Sequence, residues 1–262
     1  MAQAQLQPTP DGAILFDPAA AAQALAGPHR ADAVQAHPDD RGVFDPIWFE
    51  PVYWRARGQA EDVSGGRGGI SYIDAPFGRC ALRHYRRGGM VARVMGDRYL
   101  WTGADRTRSF AEFRLLAALR ERKLRVPAPI AARYRRKGAH YRADLITQRI
   151  EGAVTLAELL AQERANAAVV ARVGAALAEF HAAGACHADL NAHNVLLAGD
   201  AVWLVDFDRG ELRTPARDWQ LANLARLRRS LLKLGAARNG DAAFERELWG
   251  PLMAAYERGG TT

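Results

Sequence analysis

Cysteine is nearly absent from this 262-residue chain, which has only Cys80 and Cys186. That count excludes a disulfide scaffold and a zinc site built on cysteine alone. No stretch reaches the about 18 consecutive apolar residues of a membrane-crossing helix. The first residues carry neither a basic segment nor a compact apolar core, so no signal peptide is expected and a cytoplasmic location is. Lysine is also scarce, at positions 123, 137 and 233 only, although Lys and Arg together number 36. The cationic charge is therefore almost all guanidinium. The glycine run from Gly65 to Gly69 has no Lys-Ser/Thr behind it, which excludes a P-loop.

Apolar residues make up 49% and charged residues 25%, the proportions of an ordinary globular protein. The length allows one large domain or two lobes. The net charge of +7 is unevenly spread: residues 1–50 hold 2 Lys/Arg against 7 Asp/Glu, residues 51–150 hold 22 against 8, and residues 151–262 hold 12 against 14. A basic middle third suits a polyanion, a phosphorylated substrate or an anionic membrane. A solvated Arg-rich face explains it equally well. The basic residues form no long block interleaved with aromatics, which counts against nucleic acid.

Residues 1–40, rich in Ala, Pro and Gln, read as a peripheral extension with a short helix over Ala19–Ala26. The aromatics of residues 46–54 are expected to pack on the main body. Val63–Ile73 reads as strand, glycine turn, strand. In the strand over Gly78–Tyr85, Cys80, Leu82 and His84 share one face, and Ala81, Arg83 and Tyr85 the other. A helix is expected over Ser109–Lys123, with Ser109 and Glu112 in a capping-box pattern. Ala131–Arg135 and Ala143–Ile150 read as strands around a Lys137-Gly138 turn. Helices follow over Leu156–Gln162, Val169–Ala182, Asp218–Leu234 and Phe244–Tyr256, with a hairpin at Val195–Leu197 and Val202–Val205. Strands early and helices late make an α+β, bilobal pattern. The expected divisions are 1–40 (extension), 41–150 (N-lobe) and 151–262 (C-lobe).

The segment from His187 to Asn194, H-A-D-L-N-A-H-N, followed by Asp206-Phe207-Asp208 at a strand end, carries the strongest chemical signal. Phosphoryl transfer needs one carboxylate to orient the attacking hydroxyl, here Asp189. It also needs an amide and a second carboxylate to hold Mg²⁺ against nucleotide phosphates, here Asn194 and Asp206. H-x-D-L-x-x-x-N with D-F-x about a dozen residues on is the protein-kinase pattern. His187, Asp189 and His193 are a weaker zinc set, without a fourth ligand or an H-E-x-x-H spacing. His187 reads best as a packed histidine. The glycines Gly65, Gly66, Gly68 and Gly69 lie between strands, where backbone N–H groups approach phosphates. The usual strand lysine is missing, and Arg83 stands in its place. Glu112, on an apolar helix stripe, asks for a cation, and Arg83 is the natural one. Glu112 as a mere cap for Ser109 is the plainer alternative.

These segments, with Leu82–Gly89, Phe113–Leu116 and Val126–Pro129, resemble the lipopolysaccharide-kinase branch of the protein-kinase-like superfamily, and within it the 3-deoxy-D-manno-octulosonic acid (Kdo) kinases. The resemblance covers about residues 45–235. It implies a protein-kinase-like fold with a strand-rich N-lobe, one αC-like helix and a mainly helical C-lobe. It also implies ATP and Mg²⁺, and phosphorylation of the 4-hydroxyl of Kdo on a lipid A precursor. Asp189 would be the base, Asn194 and Asp206 the metal ligands, and Arg83 with Glu112 the stand-ins for the Lys–Glu pair. Gly65–Gly69 would cover the phosphates, with Gln148 and Ile150 meeting adenine. The implied partners are an anionic glycolipid and the inner face of an anionic membrane, with no nucleic acid and no obligate protein partner. Arg86, Arg87, Arg93 and Arg98 would face that membrane, and Arg209, Arg213 and Arg217 the acceptor carboxylate. Asp218 would accept backbone N–H groups of the catalytic loop. Another sugar kinase of heptose or aminoglycoside type, a pseudokinase module and a basic nucleic-acid binder remain open at this point.

Overall fold

The computed structural model describes residues 4–26, 44–62, 69–86 and 96–259. They divide into two compact units: residues up to 117 with 128–149, and residues 118–127 with 150 onward.

The first unit is built on an antiparallel sheet of β1 (Gln5–Thr9), β2 (Gly12–Phe16), β3 (Ala60–Asp62), β4 (Ile70–Ala75), β5 (Gly78–His84), β6 (Tyr99–Leu100), β7 (Pro129–Lys137) and β8 (His140–Gln148). The strand order is β1-β2-β7-β8-β5-β4-β3, and β6 also pairs with β8. The expected Lys137-Gly138 turn joins β7 to β8, with Lys137 opposite His140. Gly138 has φ 61°, a left-handed conformation that tight hairpin turns require and glycine adopts without strain. In β5 the alternation holds: Cys80 and Leu82 enter the core, and Arg83 lies on the opposite face.

The N-terminal segment is not peripheral. β1 and β2 form a hairpin, and β2 pairs with β7 along its length, Gly12 opposite Arg135 and Phe16 opposite Ala131. Ile14, Phe16, Ala20 and Ala21 join Phe44, Trp48, Phe49, Trp54, Phe77 and Leu82 in one buried cluster. Phe44 contacts Trp48 edge-on, with centroids 4.7 Å apart, and Phe77 at 5.4 Å. Burying aromatic area of this kind outweighs the weak strand preference of Pro8 in β1. The helix expected at Ala19–Ala26 is present as α1 (Pro18–Ala26), and the 46–54 aromatics pack inward around α2 (Pro51–Arg55).

Helix α3 (Arg108–Glu121) covers the expected span, but Ser109 is not its cap. The Ser109 hydroxyl donates to the Arg133 carbonyl at 2.9 Å, inside the fold. Residues 118–127, expected in the N-lobe, group with the second unit, where the Leu204 N–H donates to the Arg125 carbonyl at 3.1 Å.

The second unit is mainly helical: α4 (Leu156–Ala161), α5 (Ala167–Ala182), α6 (Arg217–Lys233), α7 (Asp241–Phe244) and α8 (Gly250–Gly259). Short strands β9 (Val154–Thr155), β11 (Val195–Ala198) and β12 (Ala201–Leu204) form one small sheet, and β10 (Ala185–Cys186) pairs with β13 (Glu211–Leu212). A capping box does occur, at α4, where Thr155 and Glu158 satisfy each other's backbone N–H groups. Gly174 lets α5 meet α8 backbone to backbone, since a Cβ there would sit 2.1 Å from the Leu252 carbonyl oxygen. The helix expected over 244–256 is interrupted by a π turn at Glu245–Trp249. Pro251 has no N–H to continue the α ladder there. The result is an α+β chain of one strand-rich and one helix-rich lobe, as expected.

Candidate active site

In the second unit, the loop His187–Asn194 runs between β10 and β11, and Asp206 follows β12. His187 is buried, and burial lowers its pKa. The ring is therefore neutral, and each nitrogen has one task. Nδ1 accepts the Asp189 N–H at 3.1 Å, which places the proton on Nε2, 2.9 Å from the Val205 carbonyl. The packed histidine thus ties the candidate base to the residue before the candidate metal ligand. Phe207 packs on the same ring at 4.6 Å and stacks with Phe180 at 6.1 Å.

Asn194 closes the loop from the other side. Its Nδ2 donates to the Asp189 carbonyl at 3.0 Å, leaving Oδ1 as the remaining acceptor, and its carbonyl takes the Val205 N–H at 3.1 Å. Val205 is thereby held at both backbone groups. Asp206 has φ 62°, a left-handed conformation costing about 1 kcal/mol or more outside glycine. Strain of this kind concentrates where geometry serves function. Asp206 is exposed. Among the described residues no group of three or more His, Cys, Asp or Glu side chains forms a metal cluster. Asn194 and Asp206 instead offer two hard oxygens, a set that fits Mg²⁺, which takes one or two protein oxygens and fills its shell with phosphates and water.

Asp189 is well exposed, its Oδ2 3.3 Å from Asn191 Nδ2 and its Oδ1 3.4 Å from the Arg226 guanidinium. The role expected of Asp218 is filled by other residues. Asp218 is exposed, whereas Asn223 Oδ1 accepts the His187 N–H at 3.1 Å and Ser230 Oγ accepts the Ala192 N–H at 3.1 Å. Asn223, Arg226 and Ser230 all lie on α6 and were not singled out by motif. Their only trace in the sequence is a polar i, i+3, i+7 stripe on a helix whose other face is apolar. His193 is exposed. Arg213 pairs with Glu211 next to it, Nε at 2.9 Å, rather than standing ready for a ligand.

In the first unit, Arg83 pairs with Glu112 of α3. The Glu112 side chain is 3% exposed and that of Arg83 16%. The Tyr85 hydroxyl also donates to Glu112 at 2.5 Å, and burial pushes the Tyr85 pKa well above its usual value, so the proton stays in place. The Arg83 guanidinium lies over the Tyr85 ring at 4.4 Å. The carboxylate is thus in an ion pair and not in a helix cap. Gly69 directly precedes β4, and its carbonyl accepts the His84 N–H at 3.2 Å, which pairs it with β5, the strand of Arg83. Gly65, Gly66 and Gly68, with Arg87 and Arg93, lie outside the described residues. Gln148 ends β8, its N–H donating to the Ala128 carbonyl at 2.8 Å, and the Arg149 N–H donates to Arg79 at 2.9 Å. Ile150, where the chain returns to the second unit, follows them.

Beside Arg83, His84 bridges two carboxylates, Asp144 at 2.6 Å and Asp97 at 2.9 Å. Asp144 in turn holds Arg133 at 2.9 Å. Arg133 and Asp144 are buried and His84 and Asp97 partly so, and together they form a connected set of ion pairs on β5, β7 and β8 in which Arg133 Nη2 is held by charge contact to Glu50 and Asp144.

The lipopolysaccharide kinase (Kdo/WaaP) family model matches residues 52–256. The chain is 52% identical over 217 residues to the 3-deoxy-D-manno-octulosonic acid kinase of Xanthomonas oryzae pv. oryzae (strain PXO99A), covering 81% of this chain and 84% of that protein. It is 53% identical over 213 residues to the protein of the same name from Xanthomonas campestris pv. campestris (strain B100), covering 80% and 83%. A solved structure, WaaP in complex with acyl carrier protein, aligns at TM-score 0.48 and 16% identity over 82% of this chain and 88% of that one.

Proposed function

The chain belongs to the lipopolysaccharide kinase (Kdo/WaaP) family, and from that premise we propose that it phosphorylates Kdo in lipopolysaccharide core biosynthesis, transferring the γ-phosphoryl group of ATP to the 4-hydroxyl of Kdo on a lipid A precursor. The observation that supports this reading is the His187 bridge, which ties Asp189 to Val205, the residue before Asp206, while Asn194 donates to the Asp189 carbonyl, all within one unit.

Asp189 accepts the proton of the acceptor hydroxyl as its oxygen bonds to the γ-phosphorus. The phosphorus bond to the bridging oxygen breaks, and ADP leaves with that electron pair. Asn194 and Asp206 would hold Mg²⁺, which when bound offsets the charge on the phosphate oxygens. Arg83, oriented by Glu112 and Tyr85, binds nucleotide phosphate through its planar fork in place of the usual lysine. Since the N–H groups of Gln148 and Arg149 are already bonded, the contact with adenine falls to the Gln148 side chain and the Ile150 backbone.

An anionic glycolipid acceptor places the enzyme at the inner face of an anionic membrane, without nucleic acid or an obligate protein partner. Among the described residues no helix is long and apolar enough to cross a membrane. In the first unit, Arg98, Arg135, Arg136, Lys137 and Arg142 line a concavity of about 360 Å³ against one carboxylate, Asp11. Exposed Leu100 lies opposite His140 at its edge. Basic residues near an anionic leaflet contribute about 1 kcal/mol each, and an adjacent leucine adds apolar insertion.

The test is Mg²⁺-dependent transfer of labelled phosphate from ATP to Kdo-lipid A precursor, wild type beside Asp189→Ala. Transfer that vanishes in the variant is expected. A folded wild type that binds ATP and labels no Kdo acceptor overturns the assignment.

A further inference from the structure

Helix α6 supports the catalytic loop through one stripe of three residues. Asn223 accepts the His187 N–H, Ser230 accepts the Ala192 N–H, and Arg226, between them on the same face, reaches Asp189 Oδ1 at 3.4 Å. Leu224, Leu227 and Leu231 lie on the adjoining face of the helix and are essentially fully buried. The register of α6 is therefore fixed, and with it the position from which Arg226 reaches Asp189.

The Arg226–Asp189 contact is long, and its side chains are 47% and 67% exposed. A pair of this kind contributes little to stability. The guanidinium has five N–H donors and spends one on this contact, which leaves a planar fork at the place where the acceptor hydroxyl must arrive. A hydroxyl within reach of Asp189 brings the rest of its sugar ring within a few ångströms of Arg226. A carboxylate on that ring can match the guanidinium with two parallel hydrogen bonds, whereas a neutral hydroxymethyl group cannot.

Resting on the Kdo reading above, we propose that Arg226 is the specificity residue for the acceptor's carboxylate and selects acidic over neutral sugars. The selection works in two directions. An acidic acceptor draws the guanidinium off Asp189 and frees Oδ1 for the hydroxyl. A neutral acceptor leaves Arg226 on the base and loses the charged contact as well. No motif of the catalytic loop encodes this, because the residue comes from a helix more than 30 positions downstream.

The experiment compares two acceptors, Kdo-lipid A precursor and the same molecule with the Kdo carboxyl reduced to the alcohol. Wild type, Arg226→Lys and Arg226→Met are assayed with Mg-ATP for kcat/KM on each. The wild type is expected to prefer the acid by about 10- to 100-fold, the worth of a charged hydrogen-bonded contact. Arg226→Met is expected to lose most of that preference through the KM for the acidic acceptor, with the KM for ATP unchanged. Arg226→Lys, a point charge without the fork, should fall between. Equal losses on both acceptors, or a raised KM for ATP, would assign the guanidinium to the phosphoryl group and overturn the inference. A preference that survives in Arg226→Met overturns it as well. Transfer to neither acceptor by the wild type removes the Kdo reading itself, and the inference with it, an outcome distinct from the other two.

Discussion

Removing Arg83 alone should damage the first unit more than removing Arg83 and Glu112 together. Glu112 is 3% exposed at its side chain, and Arg83 supplies its positive partner. Arg83→Met leaves that buried carboxylate with the neutral Tyr85 hydroxyl as a donor. Breaking a buried pair from one side costs about 3–5 kcal/mol, because the remaining charge is desolvated without compensation. Glu112→Leu strands the Tyr85 hydroxyl and the Arg83 guanidinium. Arg83 is less enclosed, so about 2–3 kcal/mol is expected there. In the double variant no charge stays buried. What remains is an unsatisfied Tyr85 hydroxyl, about 1–3 kcal/mol, set against two apolar side chains that fill the space. The two single losses together are about 5–8 kcal/mol, so the coupling energy should be about 2–7 kcal/mol. Urea unfolding followed by tryptophan fluorescence measures it, since Trp48 and Trp54 are buried in this unit's core. Losses that add to within about 0.5 kcal/mol would refute the reasoning, because they would mean that Glu112 is hydrated or already neutral.

Three shorter predictions concern protons. The hydrogen bond to Asp144 raises the His84 pKa over the opposing effect of burial, and Asp97 adds to it. The stability that protonated His84 contributes is therefore present below its unfolded value and lost as pH rises through the folded one. The stability gap between wild type and His84→Gln should narrow from about pH 6 to about pH 9, and a gap that widens refutes the bridge. Burial takes the His181 pKa down to about 4, so the unfolded chain binds the extra proton between about 6.5 and 4. Wild type should then lose about 3 kcal/mol over that acid window and His181→Phe should lose less; parallel curves in urea titrations would count against this. Burial, with Asp74 adding, raises the Cys80 pKa to about 12, and burial also raises that of Cys186. Native protein at about pH 8 should react with a thiol-specific disulfide reagent only after urea is added, and rapid native labelling would disprove the assigned burial.

The elements that periodicity exposes were readable because each buries one face. β5 alternates, the β7–β8 turn carries its glycine, and α5 and α6 repeat apolar residues at three and four. The β1–β2 hairpin was hidden by its Ala- and Pro-rich surroundings, although Asp11-Gly12 before Ala13-Ile14-Leu15-Phe16 is a turn followed by a strand signal. The capping pattern misled at Ser109 and held at Thr155 for one reason. S/T-x-x-E describes a helix start only when the glutamate is free to turn back, and at Glu112 a cation from β5 competes for it. In the loop, His187, Asp189 and Asn194 stand close in sequence because a single short turn must present them together. Asn223, Arg226 and Ser230 are spaced by the helix repeat, and any solvated helix face carries the same spacing. Only the register of α6 against the loop distinguishes them.

That division explains why the backbone at Asp206 can be strained without help from a glycine. A left-handed aspartate costs about 1–2 kcal/mol, while a net hydrogen bond returns about 1 kcal/mol. Val205, the residue before it, is held by two such bonds, its N–H to Asn194 and its carbonyl from His187. Together they contribute about 2 kcal/mol, enough to hold φ at 62°. His187 does this only while neutral, with Nδ1 free to accept from Asp189, and burial keeps it so. A histidine that looks like core packing therefore sets the geometry of the proposed base and of the proposed metal ligand at once. His187→Phe would keep the packing against Phe207 and release both.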